Sequence, residues 1–184
     1  MPLDRIWAPW RMQYILQEHM PDAKSREQRP QDTCIFCDLP AEGSARHRDN
    51  LIISCGERAF VIFNRYPYNN GHMLVVPRVH VPDPMELPAR DFQILTELLR
   101  RCTDVLAGAL QCHGINLGMN LGRTAGAGID KHCHYHLVPR WDGDTNFMPV
   151  VGQVKVISED LWASYDRLAP ALGGLAEQVE QELG

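Results

Sequence analysis

Three histidines, His132, His134 and His136, stand two residues apart in the stretch Asp130-Lys-His-Cys-His-Tyr-His-Leu-Val-Pro-Arg-Trp141. Imidazole changes charge near neutral pH, and its neutral ring nitrogen can act as nucleophile, proton carrier or metal ligand. Side chains of a β-strand alternate between faces, so a strand brings all three rings to one surface. A helix would splay them by about 200° per step. The intervening Cys133, Tyr135 and Leu137, with Val138, then face a core, which argues against a tag-like chance cluster. A second chemistry-bearing group is Cys34-Ile-Phe-Cys37. Two thiolates at that spacing can grip one ion from a tight turn, which is half of a tetrahedral zinc site. Dithiol redox pairs share the spacing. No strand pattern precedes this pair and no helix pattern opens from it, so metal ligation is the stronger reading.

Short strands and one long helix must position these groups. Apolar runs at residues 51–54 and 59–63 flank Gly56-Glu-Arg58, and a loop dense in turn formers, residues 64–71, leads to a strand at 72–77. Connections this short imply antiparallel neighbours. His80 follows just beyond. Pro82, Pro84 and Pro88 then approach a helix over residues 89–112, whose Phe92, Leu95, Leu98, Leu99, Cys102, Val105, Leu106 and Leu110 recur at threes and fours. His113-Gly114 is the expected stop, with glycine suited to a left-handed cap. A strand at 115–121 and a glycine-containing loop at 122–131 lead into the histidine strand. Near the C-terminus, Ser158 should cap a helix running to about Leu168, which Pro170 and Gly173-Gly174 break before a final short helix. At the other end, Trp7 and Trp10 belong to an apolar group with a short helix near Pro9, covering the domain or a partner subunit. A polar loop follows to residue 33. The fold class is therefore α+β: an antiparallel sheet of about five strands, one long packing helix and short terminal helices. We read residues 1–184 as a single domain with its core at about 34–141.

At 184 residues and 45% hydrophobic content the chain can bury one good core. A net charge of −5 gives no general reason to expect nucleic-acid or membrane-surface binding. No run of about 18 apolar residues exists, and the charged start lacks the apolar segment of a secretory signal. Six cysteines without a dense framework suit a reducing cytoplasm.

The run His132-Cys-His-Tyr-His-Leu-Val138 follows the pattern His-x-His-x-His with two apolar residues after it, and Gly71-His72 precedes Leu74-Val-Val-Pro77. On these motifs the chain resembles the histidine-triad (HIT) superfamily of nucleotidyl hydrolases and transferases from about residue 34 to 141. The flanks Ile6-Trp-Ala-Pro-Trp-Arg11 and Pro139-Arg-Trp-Asp-Gly-Asp144 are similar to the bacterial branch related to diadenosine tetraphosphate phosphorylases. The resemblance implies a HIT-like fold and a purine nucleotide substrate whose α-phosphorus is attacked by His134. It assigns phosphate binding and proton transfer to His136. His72 supports the triad, or else is a satisfied core histidine. Asn64 holds the ribose and Asn120 a phosphate or the scissile-bond oxygen, the plainer alternatives being a turn asparagine and an edge-strand polar residue. In the loop, Gly126, Ala127, Gly128 and Ile129 let backbone amides approach an anion. Many relatives carry Gln followed by Ser or Thr where this chain has Gly128-Ile129, so a hydroxyl contact to phosphate is missing and the acceptor stays open. Trp141 stacks on a base or packs on a partner subunit. A structural Zn²⁺ on Cys34, Cys37, His80 and His132 is implied, as is a homodimer using the apolar terminal segments. The activity is hydrolysis or transfer on a dinucleoside polyphosphate or nucleoside phosphoramidate through a nucleotidyl-histidine. Phosphorolysis of diadenosine tetraphosphate and a nucleotide-binding sensor or scaffold are the alternatives.

Overall fold

The computed structural model describes residues 33–152 and 156–183. The expected N-terminal apolar group and its helix lie outside the described residues. Helix α1 spans Ile35–Ala41, and strands β1 (Ile52–Cys55), β2 (Ala59–Phe63) and β3 (Met73–Pro77) follow. Helix α2 (Ala89–Leu110) leads to β4 (Gly114–Met119) and β5 (Tyr135–Arg140). Three helices, α3 (Met148–Val151), α4 (Leu161–Leu172) and α5 (Leu175–Leu183), complete the described chain. The strands form one sheet in the order β1-β2-β3-β5-β4, every pair antiparallel. The expected α+β class and five-stranded sheet are what the molecule has.

β2 and β3 are buried at every position, as their unbroken apolar runs require of central strands covered on both faces. Helix α2 lays Leu95, Leu98, Leu99, Cys102 and Leu106 on the sheet. The expected Phe92 is instead 37% exposed. In that first turn Asp91 points inward and pairs with Arg58 at 2.5 Å, which takes the place an apolar contact would fill. The helix also stops earlier than residue 112. Gln111, at φ 47°, is its left-handed cap, and Gly114 already begins β4.

The C-terminal helices depart furthest from expectation. Asp160, not Ser158, caps α4 by accepting from the amides of Trp162 and Ala163. Pro170 lies inside that helix without ending it, because Leu168 and Leu172 on either side are fully buried. Leu175, Ala176 and Val179 of α5 are buried as well, and both helices pack on α2 and β1. The C-terminal segment, one of the two expected to meet a partner subunit, thus buries these apolar residues inside the chain. The Tyr165 hydroxyl donates to the Ile52 carbonyl at 2.7 Å. Glu180 accepts from the amides of Glu57, Arg58 and Ala59 at 2.9, 2.7 and 3.2 Å, clasping the β1–β2 turn. Gly56 makes room for that carboxylate, which a Cβ there would meet. At the opposite edge β4 is largely exposed along its length, with Leu117 48% accessible.

Candidate active site and metal-binding cluster

Only His136 of the three triad histidines lies within β5; His132 sits in a bend and His134 in the extended stretch just before the strand. The difference from a continuous strand has a physical cause. The Cys133 amide donates to the Val81 carbonyl at 2.7 Å, so this stretch pairs with the segment after β3 rather than extending the sheet ladder. His134 and His136 still share a side, their ring centroids 5.0 Å apart. Cys133 and Leu137 are buried on the other side, with Tyr135 partly so. The His132 ring turns toward a different set of partners.

The hydrogen bonds determine which nitrogen of each ring carries the proton. The Tyr68 amide donates to His72 Nδ1 at 3.0 Å, so that nitrogen is bare and His72 Nε2 carries hydrogen. His72 Nε2 lies 3.0 Å from His136 Nδ1 and donates to it. His136 therefore keeps its proton on Nε2, facing outward. His134 Nδ1 donates to the His132 carbonyl at 2.9 Å, which leaves His134 Nε2 as a free lone pair. His72 is fully buried, and its Nε2 bond goes to His136 of the triad. Phe36, carried by α1, closes over His134 and His132 with centroid separations of 4.9 and 5.4 Å.

Burial pushes the His134 pKa below the ordinary imidazole value, against the opposing pull of the His132 carbonyl. Burial, and second the neighbouring His134, lowers His136 to about 4. Burial thus favours the neutral form of both rings. We expect the acid limb of kcat/KM to lie below the ordinary imidazole value of 6.5, with His136 itself protonating only toward pH 4. Stability follows the same sign. Between about 4 and 6.5 the native state binds fewer protons than the unfolded chain, so unfolding becomes easier as pH falls through that window. A pH–rate profile with its acid limb at the ordinary 6.5 would contradict this.

Beside the triad, Cys34, Cys37, His80 and His132 bring their ligand atoms within 4.8 Å of one another. His132 Nε2 donates to the Pro77 carbonyl at 2.9 Å, which leaves Nδ1 unprotonated toward the thiols. His132 Nδ1 lies 3.4 and 3.7 Å from the sulfurs of Cys34 and Cys37, and His80 Nδ1 3.3 Å from Cys37 Sγ. Zinc bonds of about 2.0–2.3 Å give tetrahedral edges of roughly 3.3–3.8 Å, so the set fits that ion. Three of its donor separations already fall in that range, so the cluster is able to bind metal. One expectation is corrected: a helix, α1, does open at Cys34, and the Cys37 amide closes its first turn on the Cys34 carbonyl.

The remaining predicted residues divide. Asn120 lines an open cavity of about 500 Å³ next to His136. Asn64 leans on His72 Nδ1 at 3.4 Å through Nδ2, while its Oδ1 accepts from the Tyr66 amide at 3.0 Å in a local turn. Gly126 is left-handed at φ 93°, yet its amide and that of Ala127 are spent on the Arg123 and Gly122 carbonyls, so these two do not face an anion. Gly128 and Ile129 follow in the same loop. Trp141 is not brought to the cavity: its indole donates to the Leu110 carbonyl at 3.4 Å, closing the end of α2. Sequence reasoning missed Phe36, Tyr68, Asn116 and Arg140. Alternation along residues 116, 118 and 120 was the available signal, since those positions must share the face of His136.

Similarity to known proteins agrees with this geometry. The family model described as HIT domain matches residues 46–143. A Mycobacterium tuberculosis protein named AP-4-A phosphorylase is 32% identical over 160 residues, 85% of this chain and 78% of that one. A Dictyostelium discoideum bis(5'-adenosyl)-triphosphatase is 30% identical over 93 residues, covering 50% of this chain and 62% of its own. The fold matches a zinc-bound histidine triad family protein from Mycobacterium smegmatis with TM-score 0.60 at 24% identity, over 82% of this chain and 97% of that one.

Proposed function

This chain belongs to the HIT domain family, and we propose that it is a nucleotidyl hydrolase or transferase that cleaves at the α-phosphate of a purine nucleotide. The observation that carries the reading is the pairing of proton states: a bare His134 Nε2 beside a protonated His136 Nε2. In the first step His134 Nε2 forms a bond to the α-phosphorus. The bond from phosphorus to the bridging oxygen breaks, and His136 Nε2–H gives that oxygen its proton. The His132 carbonyl, bonded to Nδ1–H, steadies the positive ring that results. In the second step an acceptor attacks phosphorus, His136 takes the acceptor's proton, and His134 leaves with its lone pair restored.

Asn120 serves a phosphate oxygen in this reading, as do the amides of Gly128 and Ile129, while Asn64 serves the ribose. Zinc held by Cys34, Cys37, His80 and His132 would supply a rigid closed site and no reacting species. A homodimer is supported by the exposed edge strand β4, which offers backbone partners to a second copy. One HIT domain working in the cytoplasm accords with six free thiols, and no helix among the described residues is long and apolar enough to cross a membrane.

Diadenosine tetraphosphate is the substrate we favour, and the name of the M. tuberculosis relative favours a second reading in which inorganic phosphate is the acceptor. Product analysis with and without phosphate separates them. Water yields AMP and ATP in both conditions, whereas phosphorolysis yields ADP and ATP when phosphate is present. Formation of ADP alone would place the cut between the inner phosphates and overturn attack at the α-phosphorus.

A further inference from the structure

The 500 Å³ cavity is lined by His136 and Asn120 but not by His134, and from there it runs along β4 and β5 to Arg140 and Thr145. On β5 its wall is His136, Val138 and Arg140, two residues apart on one face. On β4 these stand opposite Gly118, Asn116 and Gly114. From His136 to Arg140 the strand advances about 13 Å. An in-line displacement puts the leaving oxygen on the far side of phosphorus from the attacking His134. The rest of the leaving group then continues past His136, along this wall.

The lining has a definite chemistry. Arg140 is its one cation among the described residues, and Asp144 matches that charge through Nε at 2.6 Å and Nη2 at 2.8 Å. Arg140 Nη1 donates to Asn116 Oδ1 at 2.8 Å, which leaves the Asn116 NH₂ group to offer a ligand. Tyr68 is 52% exposed and its ring lies nearly parallel to His136, 11° apart in plane. Val138 gives an apolar floor, and a Cβ on Gly118 would meet nothing within 4 Å, so open space lies over that residue. A bare polyphosphate would find no uncommitted cation here. An aromatic face, an apolar floor and an amide suit a base and ribose.

We infer that this cavity is the subsite for the nucleoside of the leaving group, with Tyr68 as the stacking platform and Asn116 as its polar contact. The inference rests on the nucleotidyl-transfer reading above and names what that reaction discriminates: substrates carrying a second nucleoside, such as dinucleoside polyphosphates, over those whose leaving group is small.

The test compares diadenosine tetraphosphate with adenosine 5′-phosphoramidate, whose leaving group is ammonia, in the full chain and in Tyr68→Ala, Asn116→Ala and Gly118→Val. Gly118 lies in β4 without a left-handed φ, so valine fills the cavity without backbone strain. We expect the ratio of kcat/KM for the tetraphosphate to that for the phosphoramidate to fall at least tenfold in Tyr68→Ala and Gly118→Val, chiefly through KM. Thermal unfolding of each variant checks that the fold is kept. A ratio within twofold of wild type in folded variants, or an equal loss on both substrates, overturns the subsite. Wild-type protein that forms no nucleotidyl-histidine from either substrate overturns instead the reaction on which it rests.

Discussion

Replacing His134 by asparagine will lower turnover by on the order of 10⁴-fold or more, because a covalent catalyst that loses its nucleophile retains only binding and electrostatic assistance. Asparagine can keep the bond to the His132 carbonyl through its NH₂ group, so the extended stretch before β5 stays in place. The ring contact with Phe36 is lost, at a cost in stability of about 1 kcal/mol. AMP binding should therefore survive, while labelled substrate no longer leaves an acid-labile nucleotidyl adduct on the protein. The reading fails if the asparagine variant keeps a tenth of wild-type activity, or if it still forms the adduct. Burial of His134 makes the comparison clean, since no nearby side chain with a comparable lone pair replaces it: His136 Nδ1 accepts from His72, and its Nε2 carries the proton.

The second large effect concerns the metal cluster. Protein purified without added metal should carry close to one zinc per chain, and Cys34→Ser should carry almost none. A ligand at 1,000 times its Kd stabilises the native state by about 4 kcal/mol, so loss of the ion should lower the unfolding midpoint by several degrees. Activity should fall by about 10- to 100-fold rather than vanish, the usual consequence of removing a partner that orients a reacting group. The route is short. His132 offers Nδ1 to the cluster and its own carbonyl to His134 Nδ1–H, so one residue joins the two sites. Phe36 lies between the two cysteines in sequence and covers both rings, so loosening the cluster also uncovers the nucleophile. Zinc content near zero in wild-type protein, or content unchanged in Cys34→Ser, would remove the proposal.

Much of this arrangement was legible in the residues, for reasons specific to each. β2 matches its expected bounds because an apolar run ends at turn formers on both sides. Helix α2 was readable because 22 residues repeat one apolar stripe. The four cluster residues come together as the family resemblance implied. Other features depend on contacts that no local pattern encodes. His132 and His134 fall outside β5 because Val81, more than 50 residues earlier, captures the Cys133 amide. Pro170 is a helix breaker by local rule, yet burial on both sides outweighs its cost of about 3 kcal/mol. Trp141 was open between stacking on a base and packing on a partner subunit, and no local pattern shows that its indole bonds a carbonyl at the end of α2. Tyr68 sits among turn formers, where nothing marks an amide that sets the proton of a histidine four residues on.

The Glu180 clasp has a consequence for the order in which the molecule is made. Its carboxylate completes the turn at Ala59 across 121 residues of chain. At synthesis rates of about 5–20 residues per second, that separation corresponds to roughly 6–24 s on the ribosome. During that interval the residues of β1 and β2 have been made and those of α5 have not, so the amides of Glu57, Arg58 and Ala59 wait for the carboxylate that holds them. Arrival of residue 180 closes the first-made corner of the sheet with nearly the last-made residue of the described chain.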